Sequence, residues 1–145
     1  MKMFRRTRTG FTLIEVLIVV VIMAILAATI IPQFSTSTED AKASQLEFNL
    51  HTLQSQIQLY QIQHSGSYPT IQSSDLPQMT SRTQANGTID AAGPLGPYIA
   101  GGELPLNPLT NSRTVSASTD GSTKTGGGWQ YNVATGEIWA DDVAP

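Results

Sequence analysis

The sequence predicts an α+β fold: one long N-terminal helix, kinked near Pro32, whose second half packs on a small antiparallel C-terminal sheet of about three strands. Three observations predict it. Residues 11–31 are apolar apart from Thr12, Glu15 and Thr29. Leu46, Leu50, Leu53, Ile57 and Tyr60 recur at alternating four- and three-residue spacing, the period of one helix face. Near the C-terminus "WQYNV" and "EIWAD" alternate as half-buried strands do.

The apolar run comes first. At 1.5 Å per residue, about 21 residues rise roughly 30 Å, one hydrocarbon thickness, so the segment is long enough to span a bilayer. Lys2, Arg5, Arg6 and Arg8 precede it and no comparable cluster follows. This asymmetry places the N-terminus in the cytoplasm and the remainder across the membrane. Pro32 removes a backbone donor and disfavours helical geometry at Ile31, so a kink is expected there. Ser35, Thr36 or Ser37 ahead of Glu39 and Asp40 supplies cap-like and acidic chemistry for the helix to resume. It then runs to about His64, where Gly66 and Pro69 act as breakers.

Residues 69–108 are dense in turn formers and read as an irregular region packed on the helix. "TNSRTVSASTDGSTKTGGG" reads as a polar mobile loop flanking an edge strand at about residues 113–116. The last two strands form a hairpin through Ala134, Thr135 and Gly136, with the glycine at the left-handed position.

Composition excludes several functions. With no cysteine among 145 residues, thiol catalysis, Cys-containing zinc sites and disulfides are ruled out. The formal net charge is −3, but four of the eight basic residues lie before Gly10; without them the balance is 4 minus 11, or −7. An acidic body with only Lys42, Arg82, Arg113 and Lys124, all scattered, lacks the clustered cations that phosphate neutralisation needs, so no nucleic-acid partner is expected.

Gly10, Phe11, Thr12, Leu13, Ile14 and Glu15, followed by the apolar run and Pro32, resemble the class III signal of type IV pilins and type II secretion pseudopilins. The resemblance covers about the first thirty residues. It implies a pilin-like fold and three parts: a cleaved basic leader (1–10), a transmembrane and assembly helix (11–32), and a periplasmic globular domain (33–145). It also implies that a prepilin peptidase cuts between Gly10 and Phe11 and methylates the new Phe11 amine. A carboxylate at the centre of a spanning helix costs on the order of 2.5–3.5 kcal/mol, and somewhat less near its end. The resemblance implies what offsets that cost: Glu15 of one subunit meets the Phe11 amine of another, an attraction strengthened by low dielectric that also selects register.

The rest of the chain is similar to the major pseudopilin branch. Tyr60, Gly66, Tyr68 and Pro69 follow its pattern at the helix end, and "LPLNPLTN" follows a later one. Asn107 stands where the family usually has Asp, and Leu109 where it usually has an aromatic residue. The implied role is that of a structural, non-enzymatic subunit of a periplasmic pseudopilus for type II secretion. Its implied partners are further copies of itself, minor pseudopilins, the prepilin peptidase, the inner-membrane assembly platform and the membrane. A type IV or competence pilus subunit is the alternative within the family, and a membrane-anchored enzyme or ligand-binding ectodomain the alternative outside it.

No cofactor is expected, with calcium as the one candidate ion. Major pseudopilins commonly bind calcium in a C-terminal acidic loop, which here offers Asp120, Asp141 and Asp142; three acidic residues in a polar loop and tail otherwise read as solvated. His51 and His64 read as exposed or half-buried lone histidines. Trp129, Tyr131 and Trp139 read as core or cross-strand residues, and Asn86 in "NGT" as a turn.

Overall fold

The computed structural model describes residues 10–123 and 125–142, with side chains for all of these except residues 29–37. In chain order the elements are α1 (Leu13–Gln63), α2 (Pro77–Thr80), β1 (Val115–Ala117), β2 (Trp129–Tyr131) and β3 (Ile138–Ala140). The chain divides into two compact units, Met1–Asp40 and Ala41–Pro145.

Over residues 13–28 α1 is apolar on every side apart from Glu15. Leu13, Ile14, Val16, Leu17, Ile18 and the apolar residues on to Leu26 are all about half exposed or more. A helix apolar all round has its natural environment in lipid or among other apolar helices. Among the described residues, no helix is long and apolar enough to cross a membrane. The described apolar side chains of α1 cover residues 13–28, about 24 Å of rise, short of the roughly 30 Å hydrocarbon core. The remainder of the span expected over residues 11–32 lies outside the described side chains, but the backbone of α1 stays helical without a break through Pro32, where an interruption and a restart near residues 35–37 are expected.

The second unit is built on the other part of α1. Leu53, Ile57 and Tyr60 are buried, and Leu46 and Leu50 pack against the same core, as the helical spacing predicts. Leu76, Met79, Ile99, Val115, Trp129 and Ile138 complete it. Leaving α1, Ser65 and Gly66 take positive φ, and the Gly66 amide donates to the Gln61 carbonyl at 2.8 Å, a glycine-closed helix end.

Residues 69–108 are irregular, as expected, and are fastened by side chains rather than by strands. Buried Gln78 accepts from the Thr70 amide at 2.7 Å and donates to the Gly87 carbonyl at 2.8 Å. Asn49 on α1 donates to the Leu106 carbonyl at 2.9 Å.

The sheet order is β1-β2-β3. β2 and β3 form the expected antiparallel hairpin, pairing Gln130 with Trp139. The expectation of an all-antiparallel sheet is corrected by β1, which pairs with β2 in parallel, Val115 opposite Trp129. Residues 118–128 return the chain to the same end of the sheet, a crossover close to the length a parallel pair requires. β1 also sits slightly later than expected.

That crossover is the stretch read as a mobile loop, and it is pinned at several points. Asp120 accepts from the Ser122 amide and hydroxyl at 3.0 and 2.7 Å, Gly121 lies against the Trp139 ring, and Asn132 donates to the Thr119 carbonyl at 3.2 Å.

The hairpin glycine offers a direct test. Gly136 has φ +74°, and a Cβ there would lie 2.2 Å from Tyr68 Cε1, inside the ring's contact radius. Gly102 has φ +77° with open space around it. Gly136→Ala is therefore expected to cost about 2–4 kcal/mol, strain plus overpacking, and Gly102→Ala only about 1 kcal/mol. Thermal melts of the two variants check the difference.

Candidate functional site

The residues that carry the family resemblance stand at the head of α1, and the structure shows how they are held. Thr12 immediately precedes the helix. Its hydroxyl accepts from the Glu15 amide at 3.3 Å, while Glu15 Oε2 accepts from the Thr12 amide at 2.8 Å and from the Thr12 hydroxyl at 2.7 Å. This is a reciprocal capping box, in which two of the helix's unpaired N-terminal amides find partners. Thr-x-x-Glu is legible in the sequence, and the reading of Glu15 as an intermolecular charge alone missed it.

The box changes the electrostatic account of the carboxylate. A negative group in the first helical turn is favoured by the helix dipole, and two hydrogen bonds from Thr12 hold the carboxylate before any second subunit arrives. Phe11, Val16, Ile18 and Val19 line a shallow apolar hollow with Glu15. The fixed carboxylate thus faces apolar surface that a second apolar helix can cover. Gly10 is exposed, and among the described residues a Cβ added to it would meet nothing within 4 Å. The basic leader residues lie outside the described residues.

The candidate metal residues are used otherwise. Asp141, expected to be solvated, is fully buried. Its Oδ2 accepts from the Thr125 amide and the Gly127 amide, both at 3.0 Å, and from the Thr125 hydroxyl; its Oδ1 accepts from Gln130 Nε2 at 3.4 Å. Burial raises the pKa of such a carboxyl, and the bonds from Thr125, Gly127 and Gln130 outweigh that and leave it below its ordinary value. Asp120 closes its own turn and Asp142 is exposed. Among the described residues no group of three or more His, Cys, Asp or Glu could hold a metal ion. The donors converging on Asp141 are N–H and O–H groups, the opposite of what a hard cation requires, so these residues do not fit calcium.

The histidine reading is corrected in part. His51 is exposed, as expected, but His64 is only 2% exposed. It stacks on Tyr60 with ring centroids 3.7 Å apart, and its Nε2 lies 3.0 Å from the Thr83 hydroxyl. A hydroxyl beside an imidazole is a nucleophile–base pairing in outline, but both partners are buried, which leaves a substrate no approach. Trp129 and Tyr131 are core residues, as expected. Burial holds the Tyr131 hydroxyl neutral well above its ordinary pKa, and it donates to the Pro69 carbonyl at 3.0 Å. Asn86 accepts from the Thr88 amide at 3.0 Å and serves its turn.

Comparison with known proteins bears on the same stretch of chain. The family described as Prokaryotic N-terminal methylation motif matches residues 5–31. A protein named type II secretion system core protein G from Pseudomonas aeruginosa is 36% identical over 70 residues, 48% of this chain and 49% of the relative. Proteins of the same name from Vibrio cholerae and Dickeya chrysanthemi are 37% and 36% identical, each over 65 residues; both matches cover 45% of this chain, and 44% and 42% of the relatives. The chain thus spans about half the length of the curated relatives it matches. No solved structure matches. With a capped Glu15 four residues after Phe11 and these matches together, the chain carries the prokaryotic N-terminal methylation motif and resembles the major pseudopilins named type II secretion system core protein G.

Proposed function

We propose that the protein is a structural subunit of a periplasmic pseudopilus for type II secretion, with no catalytic role of its own. A prepilin peptidase cuts between Gly10 and Phe11 and methylates the Phe11 amine. The mature subunit rests as a single-pass inner-membrane protein, its N-terminus cytoplasmic and its C-terminal domain periplasmic. The inner-membrane assembly platform then adds it, with minor pseudopilins, to a filament of its own copies.

The observation that carries this reading is the head of α1: one hydrogen-bonded carboxylate at the start of a stretch, residues 13–28, whose other described side chains are apolar or small and exposed. Apolar surface of that extent needs lipid before assembly and other helices after it. The carboxylate gives those helices one position at which a neighbour's Phe11 amine fits, so a single charge sets the stagger between subunits.

Gly10→Val tests the processing step. Because a side chain at Gly10 meets none of the described residues, the variant isolates peptidase recognition from packing of the globular body. Mass spectrometry of the wild type is expected to find a chain beginning at methylated Phe11, and of Gly10→Val a full-length membrane precursor. A wild-type chain beginning after Ala27 or Ala28 would show ordinary signal-peptide removal and sink the proposal. If the same mature subunit formed surface fibres without the secretion genes, the pilus alternative would replace the pseudopilus.

A further inference from the structure

We infer that the C-terminal body is closed by an internal hydrogen-bond clasp centred on Asp141 and Asn107, and that this clasp does the work of a bound divalent cation, so the domain folds without one. The inference stands whether or not the subunit forms filaments.

Two buried sites that would suit a cation are each filled by protein donors. The first is the Asp141 carboxylate, which joins the end of β3 to the far end of the crossover through the Thr125 and Gly127 amides and the Thr125 hydroxyl. The second is a pair of carbonyls. Asn107, fully buried, donates both hydrogens of its amide, to the Gly128 carbonyl at 2.7 Å and the Asp141 carbonyl at 2.6 Å. Its own Oδ1 accepts from the Leu109 amide at 2.9 Å.

Two carbonyls and a carboxylate on neighbouring segments form an oxygen-rich set, the kind a hard cation collects. Here a neutral –NH2 bridges the carbonyls, and amides and a hydroxyl satisfy the carboxylate. An aspartate at position 107 would have no hydrogen to give and would turn a negative charge toward both carbonyls. The asparagine is therefore the residue that lets the clasp close on its own. The Asp141 amide adds a bond to the Gly128 carbonyl at 3.2 Å, so β3, the crossover and the loop carrying Asn107 meet at Gly128.

The test is thermal melting of the full chain in detergent, followed by intrinsic fluorescence. Both of its tryptophans, Trp129 and Trp139, lie in the sheet, so the signal reads this unit alone. Wild-type Tm is expected to be the same in EDTA and in millimolar calcium. Asn107→Asp and Asp141→Asn in EDTA are each expected to fall by about 8 °C or more, because each leaves buried polar groups without partners. Thr125→Val, which removes one hydroxyl and keeps the amide, should fall by less and remain folded if either of the others does not. A wild-type Tm that rises with calcium would overturn the inference. So would Asn107→Asp and Thr125→Val variants both as stable in EDTA as the wild type.

Discussion

Glu15→Leu is expected to abolish filament yield while leaving membrane insertion and Gly10–Phe11 cleavage intact or improved. Leucine removes a carboxylate that costs on the order of 2.5–3.5 kcal/mol at the centre of a membrane helix. What it gives up locally is the capping box with Thr12, worth about 0.5–2 kcal/mol at the helix start. Insertion therefore gains or breaks even. Assembly does not, because each subunit contact would bury a neighbour's Phe11 amine with no counter-charge, at about 3–5 kcal/mol. Repeated along a filament, that cost prevents growth.

Glu15→Gln separates the two roles of the side chain. Glutamine can still close a capping box but carries no charge. Failure of both variants assigns the assembly role to the charge; failure of leucine alone assigns it to the cap. The measurement is a sheared-fraction assay beside a membrane-fraction assay on the same cells. Wild-type filament yield from Glu15→Leu would remove Glu15 from the mechanism.

The parts of this molecule that were legible in the sequence are those written in local pattern. Leu53, Ile57 and Tyr60 share a helix face because 3.6 residues make a turn, and that face is buried. Gly66 ends α1 and Gly136 turns the hairpin because both need positive φ. Thr12 was equally legible, since its capping partner stands three residues away, and only attention to Glu15 as an intermolecular charge hid it.

What local pattern could not give depends on distant partners. Asp141 looked like a solvated tail residue, and its burial rests on amides from residues 125 and 127, brought to it by the crossover. His64 looked like a surface histidine at a helix end, but Thr83 and Tyr98 arrive over it from the irregular region. The parallel pairing of β1 likewise requires knowing that residues 118–128 cross back, which polar composition does not reveal. Asn107 read as a departure from a family pattern, and its reason appears only once two carbonyls from residues 128 and 141 are seen beside it.

Leu53→Ala is expected to destabilise the C-terminal body by about 2–5 kcal/mol, a large share of the 5–15 kcal/mol that holds a domain together. Leu53 is fully buried and stands on α1 one turn before Ile57 and two before Tyr60, in the core that also holds Trp129 and Tyr131. Truncation there removes about three methylene equivalents of burial and leaves a cavity whose walls resist collapse. The same core holds Trp129, whose indole N–H donates to the Pro105 carbonyl at 2.9 Å, and Tyr131, whose hydroxyl donates to the Pro69 carbonyl at 3.0 Å. A core tied to its loops at these points repacks only partly around a deletion. For a body of about 100 residues the fall in Tm is roughly 10–25 °C. Gln58→Ala, on an exposed position of the same helix, should move Tm by no more than about 2 °C. Both variants keep the helix and its propensity, so comparison by tryptophan fluorescence isolates burial. Equal shifts would mean that α1 presents a different face to the sheet, and the packing on which the body rests would have to be reassigned.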